Sequence, residues 1–337
     1  MSVLHAADAS RPTGRVGLAK ASAARGIMEF MTASQTWFDA GMQASDQTLP
    51  GVLPADCYLC PLCLSPHHRD AIASGDLTRE HAPPQSVGGR RVALTCQLCN
   101  QGAGVKLDKH LRESEDDLDA RAEGRERVRW TVGSVTTVAD FHIADDGTMV
   151  LASVPHRNQE GQMEALAREI EADVNDGEFK ITGIVEHRSV DVAWLKSAYV
   201  AAFALFGYAY ALHGKLNAVR RQIEHPYERV LEHFHLIQAD QPKDRLWVRL
   251  AREPRDAASV QVAMGRHLVF LPSIWSDTDI YGQIEAHIAA GIALPGPREG
   301  VEYRWPVRPM HLWDKGHITY PGAVGERDTR PGLWASE

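Results

Sequence analysis

The sequence predicts an α+β protein in which a short cysteine-clipped unit precedes a larger mixed region of β-meander and helices. Three observations predict it. All five cysteines fall between positions 57 and 99, including Cys60-x2-Cys63 and Cys96-x2-Cys99. From Val128 onward, short β-type runs alternate with turn residues. Around these runs lie stretches with helical apolar spacing, Gln159–Val174 and Val190–His213.

A chain of 337 residues with 44% hydrophobic residues has room for two or three domains with ordinary cores. The expected divisions are a tail and helix over 1–50, a compact unit over 51–112, and a mixed α/β region over 113–337. The net charge of −8 excludes a general basic field for nucleic acid. The charge is uneven, however. From Cys57 to Arg112, seven Lys/Arg face four acids, which leaves +3 there and −11 elsewhere. A locally basic window in an acidic chain suits a phosphate-facing site.

Cysteines confined to one window argue against a secreted disulfide scaffold. The N-terminus shows no basic segment followed by an apolar one, so no signal peptide is expected. Ser197–Gly214 carries no Asp, Glu, Lys or Arg, but its three Tyr, Ser, His and two Gly make it a buried helix rather than a membrane span. A cytoplasmic protein with no membrane partner is the expectation.

In chain order, residues 1–25 read as a mobile tail rich in Ala, Ser, Gly and Arg. Gly26–Ala44 has the apolar spacing of a helix. The window that follows is too poor in apolar residues for a large core and needs a staple. The acidic run E-S-E-D-D-L-D after Leu111 reads as a solvated helix or linker. V-R-W-T-V, V-T-T-V-A-D-F-H-I and M-V-L-A-S-V then form a hairpin meander, and F-K-I-T-G-I-V a further strand. L-W-V-R-L and V-Q-V-A-M give two later strands, with H-L-V-F-L-P continuing the second.

Two Cys-x2-Cys turns aim four thiolates at one ion, the spacing of a structural Zn2+ site. Cys57 complicates the pairing, because C-Y-L-C over 57–60 has the same spacing. Cys60 with Cys63 is favoured, since Pro61 then occupies the turn position that suits its fixed φ. Cys57 in place of Cys63 stays open. Between the turns lies R-E-H-A-P-P-Q-S-V-G-G. There His81 is a candidate general base, since a neutral imidazole near pH 7 can take a proton from water. Glu80 beside it and Asn100 after Cys99 are candidate ligands for a hard divalent ion, Mg2+ or Mn2+.

The run C-P-L-C, L-T-R-E-H-A-P-P-Q-S-V-G-G, L-T-C-Q-L-C-N-Q-G-A-G resembles the HNH endonucleases of the ββα-metal type. The likeness is to the branch patterned Cys-x2-Cys, Glu-His-x2-Pro, Gly-Gly and Cys-x2-Cys-Asn, and it covers about fifty of the 337 residues. It implies a β-hairpin and helix around a catalytic divalent metal, with structural zinc alongside. His81 then matches the general base, and Glu80 and Asn100 match metal-binding positions. Cys60, Cys63, Cys96 and Cys99 match the zinc ligands. The chain lacks the pattern's middle Asn, and Ala103 stands where a Lys often precedes the Gly.

Asp108, roughly two turns beyond Asn100, is a further candidate ligand. His110 reads as a helix-face residue, His67 and His68 as surface residues. Arg90 and Arg91 are candidate phosphate contacts. E-H-F-H (232–235) and H-L-W-D-K-G-H (311–317) are read as structural. Trp194–Leu212 would serve as a dimer face only if exposed.

These readings converge on a DNA-cleaving HNH-type endonuclease, with RNA as the other substrate and phage defence as the favoured role. Residues 113–337 are expected to recognise a partner protein, the substrate or a second copy. The alternatives are a zinc-stapled binding module without turnover, or a nuclease subunit of a larger guided assembly.

Overall fold

The computed structural model describes residues 33–103, 107–172, 180–183, 187–238, 241–242, 244–294 and 299–307. The tail over 1–25, the histidine-rich segment 311–317 and the first residues of the helix expected at Gly26–Ala44 lie outside them. The described part of that helix, α1, covers residues 33–48 and buries Trp37 and Phe38.

The cysteine window folds as a small antiparallel pair, β1 (Cys57–Leu59) with β2 (Pro66–His68), and a short helix α2 (Asp70–Ser74). A second hairpin follows, β3 (Leu77–Ala82) with β4 (Arg90–Cys96), which runs directly into helix α3 (Gln97–Ala103). The register shifts between Glu80 and His81, which oppose Ala93 and Arg91, so β4 holds one extra residue there. A Cβ at Gly89 would overlap the Pro83 carbonyl oxygen, so the Gly88–Gly89 turn brings two backbone segments together as only glycine permits.

The acidic run is helix α4 (Lys109–Ala122), but it is neither a linker nor fully solvated. Leu111, Ser114, Asp117 and Ala120 are buried, and Asp117 Oδ1 accepts from the Arg127 backbone N–H at 3.2 Å. The helix leads into an antiparallel sheet of order β7-β6-β5-β8: β5 (Glu126–Val132), β6 (Val135–Ile143), β7 (Met149–Ser153) and β8 (Lys180–Gly183). The expected meander forms the first three of these strands. Helix α5 (Gln162–Ala172) lies between β7 and β8 in the chain.

Helix α6 (His187–Ala211) is interrupted by Gly207, whose φ of 75° suits only a residue without Cβ. It is followed by α7 (Asn217–Glu224). A five-stranded antiparallel sheet of order β13-β10-β11-β12-β9 closes the fold: β9 (His235–Ile237), β10 (Leu246–Glu253), β11 (Ser259–Met264), β12 (His267–Pro272) and β13 (Glu299–Arg304). H-L-V-F-L-P therefore does not continue V-Q-V-A-M. Gly265 and Arg266 turn the chain so that Met264 pairs with His267 and the two segments lie side by side. Helix α8 (Ile280–Ala290) buries Ile280 and Ile284 in a small cluster with Trp247 and Phe270.

Helix α6 is long and apolar enough to span a membrane, yet 94% of its apolar window is buried inside the protein. It is a core helix, and its aromatic stripe is not an exposed dimer face. It supplies what the cysteine window lacks. One continuous apolar core runs from Tyr58, Leu77 and Leu94 through α6 to Val260, Val262 and Leu271 of the five-stranded sheet. The window is therefore not self-sufficient: much of its hydrophobic stabilisation comes from a helix ninety residues further along the chain.

Gly89→Ala should lower stability by about 1–3 kcal/mol, because the added methyl displaces the Pro83 backbone. An unchanged urea midpoint would show that the turn relaxes freely.

Candidate metal centre and hydrolytic site

The four cysteines Cys60, Cys63, Cys96 and Cys99 converge, with their sulfurs all within 4.8 Å of one another. Cys63 and Cys96 Sγ are 3.7 Å apart, against about 3.8 Å for the edge of a tetrahedron with Zn–S bonds of 2.3 Å. The donor set fits zinc. Two elements place it: the turn after β1 carries Cys60 and Cys63, and the junction of β4 with α3 carries Cys96 and Cys99. The Cys96 backbone N–H also donates to Cys60 Sγ at 3.4 Å. Hydrogen bonding with Cys60 lowers the pKa of Cys63 and of Cys96, the latter to about 6, and raises that of Cys99. Cys57 stands apart from this cluster, its Sγ 3.4 Å from His68 Nδ1.

The turns are also bolted from behind. Tyr199 Oη donates to the Pro61 carbonyl at 2.8 Å, and Tyr208 Oη to the Leu59 carbonyl at 2.6 Å. Tyr58 Oη donates to the Leu94 carbonyl at 2.9 Å. Each phenol is buried, and each satisfies a backbone acceptor that would otherwise lack water.

Glu80 and Asn100 come to one face of the β3–β4 hairpin. Thr78 and Thr95 are direct cross-strand partners there. Asn100 Nδ2 donates to Thr78 Oγ1 at 2.8 Å, and Thr95 Oγ1 donates to Glu80 Oε2 at 3.0 Å. Side chains alternate along β3, so His81 leaves the strand on the opposite side from Glu80. Burial pushes the His81 pKa below its ordinary value; the Arg91 cation adds to this and Glu80 opposes it. An imidazole so placed is neutral at pH 7 and able to accept a proton.

Sequence reasoning missed Lys196. It sits at 2% exposure in the apolar helix α6, with Nζ 3.0 Å from Glu80 Oε1 and 4.0 Å from Asp108 Oδ1. The contact with Glu80 is one of charge rather than of an aligned hydrogen bond. The available signal was a single ammonium beside an eighteen-residue stretch without charge, a pattern that requires a buried partner. Asp108, the further candidate ligand, joins the same pocket. Burial raises its pKa, and its buried Oδ1 has no hydrogen-bond donor. Two carboxylates against one ammonium leave an acceptor-rich site with excess negative charge, a donor set that fits a hard cation. Any such ion at Glu80 would share the carboxylate with Lys196.

His235 of E-H-F-H is structural, as its sequence context suggests. His235 Nδ1 lies 2.7 Å from Asp191 Oδ1, and His235 Nε2 lies 2.9 Å from His267 Nδ1. His267 Nε2 contacts Glu115, and Trp194 stacks on His267 with ring centroids 4.0 Å apart. This chain ties α6, β9, β12 and α4 together through buried polar groups. His110 pairs with Glu113 at 3.6 Å on α4, as a helix-face residue does.

No protein-family model matches the chain, and comparison with curated proteins and with solved structures finds no match.

Purified protein should carry one zinc per chain by metal analysis; Cys63→Ser and Cys96→Ser should lose it, and Cys57→Ser should keep it. Retention in Cys63→Ser would overturn the ligand set. Glu80→Ala should cost about 3 kcal/mol by leaving the buried Lys196 ammonium with only the more distant Asp108 carboxylate. Glu80→Ala with Lys196→Met should recover much of that loss, whereas additive losses would show that the two residues act independently.

Proposed function

We propose that the chain is a cytoplasmic, metal-dependent endonuclease of the HNH type that hydrolyses DNA phosphodiester bonds. The observation that carries the reading is the hairpin-to-helix unit β3–β4–α3. It brings Glu80 and Asn100 to one face through Thr78 and Thr95 inside the four-cysteine clip, with a neutral His81 next along β3 on the other face. In this reading His81 accepts the proton of the attacking water. Glu80 and Asn100, with Asp108 near them, hold a Mg2+ or Mn2+ ion that stabilises charge on the phosphoryl group and leaving oxygen. The zinc clip keeps Asn100 registered against the hairpin and takes no part in the chemistry.

A second reading is favoured by one observation. Glu80 is only 2% exposed and already faces Lys196, as expected of a zinc-stapled binding module in which the carboxylate fastens the hairpin to α6.

Cleavage of supercoiled plasmid in Mg2+ or Mn2+ separates the two. The nuclease reading expects cleavage abolished by EDTA and reduced at least a hundredfold by His81→Ala. Failure to cleave with either metal, by protein that still binds nucleic acid, favours the binding module. Because the folded His81 pKa is lowered, the base stays deprotonated as pH falls to about 6.5, and cleavage should decline only below that value. Arg91→Ala removes a cation that disfavours the imidazolium, so it should move this acid limb to higher pH.

A further inference from the structure

We propose that Arg90, Arg91 and Arg112 form a grip for the phosphodiester backbone of nucleic acid, laid along the β3–β4 loop and the first turn of α4. The inference rests on the nuclease reading and specifies how that site holds its substrate.

The argument begins with charge accounting. All three arginines are exposed, and among the described residues no carboxylate forms an ion pair with any of them. Most other arginines are engaged: Arg69 by Asp39 and Asp56, Arg127 by Asp140, Arg157 by Asp116, Arg266 by Asp119 and Glu115. An arginine that could reach a carboxylate on a chain with net charge −8, and does not, keeps its full positive field.

Position supplies the second part. Arg91 is the cross-strand partner of His81, and Arg90 that of Ala82. Arg90 and Arg112 line one cleft of about 680 Å³ with Ser86 and Gly88 of the loop. The cleft also contains acids, and three of them have partners within the protein: Asp116 is paired with Arg157, while Arg266 is shared between Asp119 at 2.7 Å and Glu115 at 3.9 Å, with His267 also against Glu115. The fourth, Asp244, lies two residues before β10. Arg90 and Arg112 therefore present guanidinium groups to the cleft, and Arg91 presents one opposite His81; their planar donors match phosphate oxygens. A nucleic-acid backbone crossing the end of the hairpin from Arg112 and Arg90 to Arg91 would reach the His81 face, and backbone contacts of this kind position a substrate without reading its sequence.

Binding is measured without turnover, on the full-length zinc-loaded protein with no added Mg2+ or Mn2+, with fluorescein-labelled 20-mer duplex DNA, single-stranded DNA and duplex RNA. Anisotropy is followed across a salt series. The triple variant Arg90→Ala/Arg91→Ala/Arg112→Ala should lose at least tenfold in affinity. Its slope of log K against log salt should fall by about 0.9 per lost phosphate contact on duplex DNA, or about 0.7 on a single strand. Arg168→Ala, which removes an exposed arginine on α5, should leave both quantities unchanged. The ligand that gives the steepest slope identifies the substrate class. Equal losses in the triple variant and in Arg168→Ala, unchanged binding in the triple variant, or no binding of any ligand by the wild type would overturn the grip. The nuclease reading fails separately: it falls if metal-loaded wild type binds but does not cut, and it stands if His81→Ala abolishes cutting while the arginines prove irrelevant.

Discussion

The fold depends on the contact between helix α6 and the cysteine-bracketed hairpin. A window of some fifty residues with four cysteines gathered at one point has little left to bury. The missing apolar surface comes from α6, and so do the donors: Tyr199 and Tyr208 hydrogen-bond the carbonyls of Pro61 and Leu59. The same contact buries Lys196 against Glu80, with both side chains almost sealed from water. Bringing two charges into such an interface costs several kcal/mol per ion before their attraction is counted, so the pair specifies the docking geometry more than it adds stability.

This contact also explains why the candidate hydrolytic residues separate into two environments. Glu80 lies on the covered side of the hairpin, with Thr95, Lys196 and Asp108. His81 and Arg91 lie towards solvent, where a substrate can arrive. The register shift between Glu80 and His81 sits at the boundary between these environments.

Further away, the Asp191–His235–His267–Glu115 chain clamps the edge strand β9 and the acidic helix α4 to the sheet behind α6. Burial pushes His267 down while its contact with Glu115 opposes that shift, so the chain is held by balanced terms rather than by one strong pair. Arg266 lies between Glu115 and Asp119, so part of the negative charge of α4 is answered within the protein. Arg112 on the same helix and Arg90 across the cleft have no carboxylate ion pair among the described residues.

The sequence by itself determined the local devices. Cys-x2-Cys spacing requires only that a tight turn aim two sulfurs the same way, and the four sulfurs converge as that spacing demands. The hairpins from Val128, the apolar character of α6 and the neighbourhood of Glu80, His81 and Asn100 follow equally from short-range pattern. Lys196 and the histidine chain did not. Their partners lie tens to over a hundred residues away, and an isolated Lys or His in a run carries no mark of what will face it. For the same reason the turn between Met264 and His267 was read as a continuous strand, and α4 as solvated, until cross-strand pairing and the cations opposite Glu115, Asp116 and Asp119 came into view. Only the tertiary structure decided which charges are spent inside the protein and which remain to meet a ligand, because that balance is a sum over neighbours brought together by folding rather than by sequence.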